Sequence, residues 1–420
     1  KREMKRATML FTTLLAAALL AAPAAFAHPH PELLETDLMA YPFWTEPEDG
    51  DIYHVATGQK ISREGMMNML SGSRVIYVGE SHNNVHAHRI QAEIIRDLAE
   101  RFPGRVAVGM EMFRTPQQPS LDRWTAGELT EIGFLKESGW YNNWSMNYGY
   151  YREILDLIRD EKLDLIALNP PIELQRHVGM MGREELPGEL AAQLPEMDSS
   201  DPYQQASIKA IYASHEGRGE TMAKAFLRVQ LRGEETMAER IVDYLEGPRG
   251  KGKIVVALTG GAHVKYGFGV PKKVLRRKPL AYSIVLPAPI TYPEVREESG
   301  EQIFMDVELP EVPLRAADFI WAVPYEILEE DKVKIGIMLN FSEGEGAIEK
   351  VMEGSDGERA GLQAGDVLLS LDDTPIGGMA DVVILLKQKK MGDSVRIGIL
   401  RGSEPITVDA TFTEPADHPG

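Results

Sequence analysis

The sequence predicts an α/β fold: a mainly parallel sheet flanked by helices, with a helical insertion, followed by a small β-rich C-terminal domain. Three observations carry this. Short apolar, β-branched runs such as Arg74-Val75-Ile76-Tyr77-Val78 and Lys253-Ile254-Val255-Val256-Ala257-Leu258 alternate with amphipathic stretches, the pattern of strands buried on both faces and joined by helices. Both runs end in Gly-x-x-His, at Gly79–His82 and at Gly260–His263. From Val333 onward the strand-like pieces become short and glycine-broken, which marks a second module; 420 residues also exceed what one core usually holds.

The N-terminus is read first. Lys1, Arg2, Lys5 and Arg6 precede an apolar run from Met9 to Ala22, and Ala25-Phe26-Ala27 closes it. A basic start, a short apolar centre and a small-residue pair make a secretory signal with cleavage before His28. The run is short and alanine-rich for a retained anchor, which needs about 20 apolar residues. The expectation is a periplasmic or secreted protein divided into a signal at 1–27, an α/β domain at 28–325 and a C-terminal domain at 326–416.

Residues 28–70 show no sustained period and read as an irregular lead-in ending in a short helix near Arg63–Leu70. Beyond the strand ending at Glu80, Asn83 or Asn84 can cap a helix whose buried face is Ile90, Ile94, Ile95, Leu98 and Phe102. Arg105–Glu111 is a second strand ending in a carboxylate, Tyr151–Glu161 an amphipathic helix, and Leu163–Leu168 a strand ending at Asn169. Residues 180–200 read as a loop or lid, then come helices near Tyr203–Ser214 and Thr221–Leu245, the inserted helical part. The strand before His263, a helix near Pro271–Arg277 and a strand at Leu280–Leu286 complete the alternation. Residues 287–330 look like a tail packing back, including Asp318-Phe319-Ile320-Trp321, and Ala380–Lys390 is a helix within the last module.

Composition excludes several functions. Hydrophobic content of 43% and 26% charged residues are ordinary for a globular protein. A formal charge of −19 argues against nucleic acid, which needs a basic surface, and against anionic lipid. There is no cysteine, so disulfides, thiolate metal sites, cysteine nucleophiles and a lipoprotein anchor are ruled out. No Gly-x-Gly-x-x-Gly follows the first strand, against a dinucleotide enzyme.

Four strands would deliver Glu80 and His82, Glu111, Asn169 and His263 to one carboxyl edge, where open α/β sheets bind ligands. Imidazole and carboxylate together can bind a divalent metal, exchange protons near neutral pH or hold a polar ligand. Glycine before each histidine allows close approach of backbone or ligand. His88 can face the crevice; His86 reads as a solvated surface histidine.

Val78-Gly79-Glu80-Ser81-His82 with His88-Arg89-Ile90-Gln91, Gly109-Met110-Glu111-Met112-Phe113, Gln230-Leu231-Arg232 with Glu235-Thr236-Met237-Ala238, and Thr259-Gly260-Gly261-Ala262-His263 resemble, in that order, the ChaN family of exported haem-binding proteins. Asp318-Phe319-Ile320-Trp321 fits as well. The resemblance spans roughly 70–324. The wider group, which includes the Tiki proteases and the erythromycin esterases, is marked by two Gly-x-x-His motifs, a glutamate and an arginine, here His82, His263, Glu111 and Arg232. It implies haem or iron handling outside the cytoplasm, with haem bound by a dimer and a tyrosine on the iron; Tyr203, Tyr212 and the aromatic stretch Trp140–Tyr151 are the candidates. The ligand-binding set it implies is Gly79, Glu80, His82, His88, Glu111, Arg232, Gly260 and His263. The alternative is a metal-dependent or general-base hydrolase of the esterase or protease type using Glu80, His82, Glu111, Arg232 and His263; in its metal-dependent form His82, Glu111 and His263 would hold a divalent metal. A third reading is an adaptor whose first domain has lost its ligand.

Ala360-Gly361-Leu362-Gln363-Ala364-Gly365-Asp366-Val367-Leu368-Leu369-Ser370-Leu371 resembles PDZ domains of bacterial proteases. The resemblance implies capture of a protein's C-terminal peptide as an added strand, with Ile335, Gly336, Ile337 and Met338 forming the carboxylate loop and Val382, Leu385 and Leu386 the helix wall.

Overall fold

The computed structural model describes residues 46–413, apart from 145, 181–187, 189–193, 214–219, 292–313, 330–332 and 343. The expected signal at 1–27 lies outside the described residues, as does most of the 180–200 loop. The described strands are, in chain order, β1 (Ile52–His54), β2 (Gln59–Ile61), β3 (Val75–Glu80), β4 (Val106–Arg114), β5 (Asp164–Asn169), β6 (Ile254–Gly260), β7 (Tyr282–Pro289), β8 (Phe319–Val323), β9 (Ile337–Asn340), β10 (Gly346–Val351), β11 (Val367–Leu371), β12 (Thr374–Pro375), β13 (Ser394–Arg401) and β14 (Glu404–Thr411). The α-helices are α1 (Arg63–Leu70), α2 (Val85–Arg101), α3 (Gln118–Thr125), α4 (Glu131–Ser138), α5 (Trp140–Asn143), α6 (Arg152–Asp160), α7 (Ile172–Met180), α8 (Pro202–Ala213), α9 (Glu220–Glu246), α10 (Val270–Arg277), α11 (Asp356–Arg359) and α12 (Met379–Leu386).

The first sheet has eight strands in the order β2-β1-β8-β7-β3-β6-β4-β5. From β8 to β5 every neighbouring pair is parallel; β1 joins β8 and β2 antiparallel. The mainly parallel sheet of the sequence reading is therefore present, extended by a short antiparallel edge. The lead-in contains the strands β1 and β2, where no regular structure was expected, because β1 is held by long-range pairing with Phe319–Trp321 rather than by a local pattern.

Alternation along the central strands divides the core in two. Ile76 and Val78 of β3 face one side with Val108, Met110 and Val256, under a layer that includes Ile94, Leu98, Trp124, Phe134 and Ile158. Val75 and Tyr77 face the other, with Val255 and Ala257, against Met237, Ile241 and Leu245 of α9 and Val270 and Val274 of α10. The inserted helical stretch thus closes the second face of the sheet. Each such aliphatic side chain contributes roughly 1.5–3 kcal/mol on burial, which is why uninterrupted apolar runs form the middle strands.

Local caps fix where the helices begin. Ser62 accepts a hydrogen bond from the Gly65 amide at the start of α1, and Asn84 from the His86 amide at the start of α2. Tyr151–Glu161 is realised as α6, with Ile154, Leu155 and Ile158 buried. The short helices between Thr115 and Asn143 and at Tyr148–Tyr150 gather around the aromatic cluster Phe113, Trp124, Phe134, Trp140 and Tyr148.

The C-terminal module is a second, antiparallel sheet in the order β14-β13-β11-β10-β9, with β12 paired to β11. Its core is Val333, Ile335, Ile348, Leu368, Leu371, Val382, Leu385, Val395, Ile397, Ile399 and Phe412. Gly365 turns into β11 with φ +92°, and Asp372 and Asp373, both at positive φ, turn out of it.

Candidate functional site

Strand order explains why two distant histidines meet. The chain leaves β3 for β4 but leaves a gap, and β6 later fills it. Glu80 is then in register with Gly260, and Gly79 with Thr259, so both Gly-x-x-His turns leave the carboxyl edge side by side.

On the β3 side, Glu80 is buried and is the centre of a fixed cluster. Its Oε1 accepts from His82 Nδ1 at 2.7 Å and from the Tyr151 hydroxyl at 2.8 Å. Its Oε2 accepts from Gln91 Nε2 at 2.8 Å. His88, buried on α2, donates from Nε2 to the His82 carbonyl at 3.0 Å and sets Nδ1 3.6 Å from Glu80. Trp144 stands edge-on to His82 at 5.0 Å, and Tyr151 to His88 at 4.4 Å. Burial opposes ionisation of Glu80, yet His88, His82 and Gln91 outweigh it and hold its pKa below the ordinary value. Burial likewise opposes charge on His82, but the bond to Glu80 raises its pKa.

On the β6 side the arrangement is tighter. His263 Nε2 faces Glu111 Oε1 at 3.3 Å, and Nδ1 faces Glu234 Oε1 at 3.2 Å. Glu111 Oε2 accepts the Gly260 amide at 2.7 Å, and Asn169 donates to the Glu111 carbonyl at 2.6 Å. The Gln230 side-chain amide lies 3.0 Å from Nδ1 of His263. Lys273, also buried, binds the other oxygen of Glu234 at 3.0 Å and Gln204 at 3.0 Å. Although burial penalises both charges, the pair prevails: Glu111 is held down to about 2 and His263 is pushed up to about 10. Glu80 thus faces the imidazoles of His82 and His88, while Glu111 and Glu234 face that of His263, with the Lys273 ammonium on Glu234.

Gly79 and Gly260 serve packing here. A Cβ on Gly79 would lie 2.5 Å from Leu286 Cδ2 and 3.0 Å from the Gly261 backbone; one on Gly260 would lie 3.0 Å from His82 Nε2. Arg232 is fully buried, and burial lowers its pKa to about 10 against the pull of Glu239. It stands two positions from Gln230, so the two side chains leave α9 on different faces. His86 pairs with Glu326 at 2.8 Å.

The alternative metal triad of His82, Glu111 and His263 is not assembled: among the described residues no group of three His, Asp or Glu side chains is placed to hold a metal ion. Both ring nitrogens of His263 face carboxylates, and Nδ1 also faces the Gln230 side-chain amide. The sequence reading assigned no place in this cluster to Gln91 or Gln230, which stood in the quoted motifs, to Tyr151, which stood among the axial candidates, or to Glu234. Gln230 and Glu234 were legible as an i,i+4 pair on one face of α9; Tyr151, whose hydroxyl is committed to Glu80, gave no such signal.

Of the axial candidates, Tyr203 lies in the first turn of α8, is 45% exposed, and stacks on Phe268 at 6.2 Å and 7°. Tyr266 adjoins Phe268 at 5.6 Å and Lys265 sits over its ring. An exposed phenol beside flat aromatic surface and a lysine is chemistry that suits ferric haem and its propionates. The side chain of Tyr212, in the last turn of α8, lies outside the described residues. Trp140, Tyr148, Tyr150 and Tyr151 are buried core residues.

In the C-terminal module, Ile335 is buried, Gly336 has φ +79°, and β9 is a sheet edge on which Met338 is 46% exposed. Val382 and Leu385 belong to the module's core and Leu386 packs against it.

Residues 66–274 match the protein family described as haem-binding uptake, Tiki superfamily, ChaN, and residues 333–411 match the PDZ domain. Among solved structures, the fold resembles ChaN of Campylobacter jejuni, a structure of cofacial haem binding, with 17% identity and a TM-score of 0.51 over 66% of this chain and 97% of that one. A serine endoprotease of Yersinia pestis is similar over 19% of this chain and 28% of its own, at 22% identity and a TM-score of 0.18. Among curated proteins, the periplasmic pH-dependent serine endoprotease DegQ of Escherichia coli (strain K12) is 31% identical over 65 residues, 16% of this chain. The chain spans 14% of the length of that relative.

Proposed function

Since residues 66–274 belong to the ChaN haem-binding uptake family of the Tiki superfamily and residues 333–411 form a PDZ domain, we propose that this chain is an exported haem-binding protein of iron uptake. In this reading the first domain holds haem and the PDZ domain captures the C-terminus of a partner protein. The family match carries the proposal. The exposed Tyr203–Phe268 stack supports it, because it offers an iron-ligating oxygen beside a surface for a porphyrin face. The N-terminal Met9–Ala22 run with Ala25-Phe26-Ala27 supports export. No helix among the described residues is long and apolar enough to cross a membrane.

In this reading the His82–His263 network is framework rather than a reaction centre. Its carboxylates are matched by His82, His263, Lys273, Tyr151 and Gln91, and it fixes the carboxyl edge from which the Tyr266–Phe268 turn departs. Haem supplies the iron chemistry when bound; Tyr203 or Tyr212 would ligate it, and a second copy of the chain would cover the other haem face.

The test is a hemin titration of the purified mature chain, followed by absorbance and by size-exclusion chromatography. A saturable Soret band, shifted or lost in Tyr203→Ala or in Tyr212→Ala, with a haem-dependent dimer, is the expected result. Absence of any saturable site refutes haem binding, and retention of residues 1–27 in a fractionated, secreting host refutes export by cleavage.

A further inference from the structure

Among the described residues, two contacts tie the PDZ domain and its lead-in to the first domain, and both lead to His82. The first is the segment that runs out of β8. The Pro324 carbonyl accepts from Asn84 Nδ2 at 3.0 Å, the Tyr325 hydroxyl donates to Asn83 Oδ1 at 2.6 Å, and the Glu326 carbonyl accepts the Val85 amide at 2.9 Å. Glu326 also pairs with His86 at 2.8 Å, and the Leu328 amide donates to the Tyr150 hydroxyl at 2.9 Å. Residues 83–86 directly follow His82 and include the cap of α2. Asn83 and Asn84 are polar, Val85 and His86 open α2, and this strap supplies backbone and side-chain partners to all four.

The second place is α12, the helix wall of the PDZ domain. Val382 and Leu385 belong to the PDZ core, whereas Ile384 is buried in the core of the first domain. Ile132 of α4 packs against both cores, and Lys136 of α4 binds Asp381 at 3.0 Å. α12 also touches α5, which runs straight into Trp144, the ring set edge-on to His82 at 5.0 Å. One element therefore shares its two faces between a peptide-binding module and the aromatic wall of the histidine cluster.

We infer that the PDZ domain is a latch: its docking through α12 and the 324–328 strap holds the His82 loop in its closed hydrogen-bonding pattern, and undocking releases that loop. A peptide that packs against α12 then acts on the first domain through a two-ended contact, and linkage makes the effect reciprocal. The latch itself does not depend on haem; only its consequence for haem rests on the proposed function.

Amide hydrogen exchange on the full chain tests this, comparing the wild type with Ile384→Ala and with Lys136→Ala. The Val85 amide, bonded to Glu326, is the direct reporter, and Ala107–Met110 of β4 are the internal reference. Exchange at Val85 and its loop neighbours at least about threefold faster in both variants, with β4 unchanged, is the expected outcome. Wild-type exchange at Val85 in both variants overturns the latch. Exchange of β13 and β14 shows whether Ile384→Ala has unfolded the PDZ domain, in which case Lys136→Ala decides. Hemin titration of the same proteins gives an affinity changed by at least about threefold if the loop matters to haem. A wild type that binds no hemin refutes the proposed function and leaves the exchange result to judge the latch.

Discussion

The imidazole of His82 rests against the backbone of Gly260: a methyl built there would lie 3.0 Å from Nε2 and 3.1 Å from Cε1. The same glycine gives its amide to Glu111, so one residue without a side chain lets the two Gly-x-x-His turns close on each other. The two motif glycines nevertheless differ. At Gly260 the obstacle is a partly exposed ring that can give by a few tenths of an ångström. At Gly79 it is the Leu286 methyl at 2.5 Å and the Gly261 backbone at 3.0 Å, inside the sheet edge. Gly260→Ala is expected to cost about 1 kcal/mol and Gly79→Ala about 3 kcal/mol, read as urea midpoints at constant slope; the reverse order would refute the packing described.

Stability should depend on pH through Glu111 and His263. The Glu111 carboxyl sits at about 2 against an ordinary 4.5. Its contribution is complete above about pH 4.5 and is lost as pH falls toward 2, where the unfolded chain binds the proton first. His263 sits at about 10 against 6.5. Its contribution is complete below about pH 6.5 and is lost as pH rises through 10, because the folded chain then holds the extra proton. The pair therefore stabilises most between roughly pH 4.5 and 6.5, with an alkaline limb of at most about 1.4 kcal/mol per pH unit. Urea melts across pH 5–10 check this, and His263→Gln should flatten the alkaline limb.

Glu111→Gln removes one of the two carboxylates on His263 and keeps Glu234 at 3.2 Å. Unpairing a buried charge completely costs about 3–5 kcal/mol; with Glu234 still present the expected loss is about 2 kcal/mol. The His263 pKa should fall, followed by the ring carbon-bound protons in an NMR titration. An unchanged titration would mean that Glu234 alone sets the charge.

How much of this was legible in the sequence follows from what each residue depends on. β3 and β6 were readable because both faces of those strands are buried, so the apolar run is continuous and the Gly-x-x-His ends stand out. The convergence of His82, Glu111, Asn169 and His263 followed from strand ends alone. β1 was not readable, since three residues held by pairing with Trp321 leave no local period. Tyr151 and Lys273 were missed because their places at Glu80 and Glu234 come from helix packing across more than 30 positions of chain. Gly79 was read as room for backbone or ligand, and the neighbours that use the room are the Leu286 side chain and the Gly261 backbone.

Two glycines of similar backbone in the PDZ domain offer a last comparison. Gly336 has φ +79° and Gly344 φ +83°, both in the left-handed region. A side chain at Gly344 would meet nothing within 4 Å, whereas one at Gly336 would run into Ser355, the cap of α11. Gly336 is held on both sides as well: its carbonyl accepts the Met352 amide at 2.8 Å, and the Ile335 carbonyl accepts the Gly357 amide at 2.7 Å. The backbone penalty alone is roughly 1–2 kcal/mol for an L-residue, so Gly344→Ala should cost about 1 kcal/mol. Gly336→Ala adds displacement of the Ser355 cap and should cost about 3 kcal/mol. Amide exchange on β13 measures both on the full chain. Equal costs would mean that the loop is not braced by α11, and the proposed seat for a peptide carboxylate would lose its rigid floor.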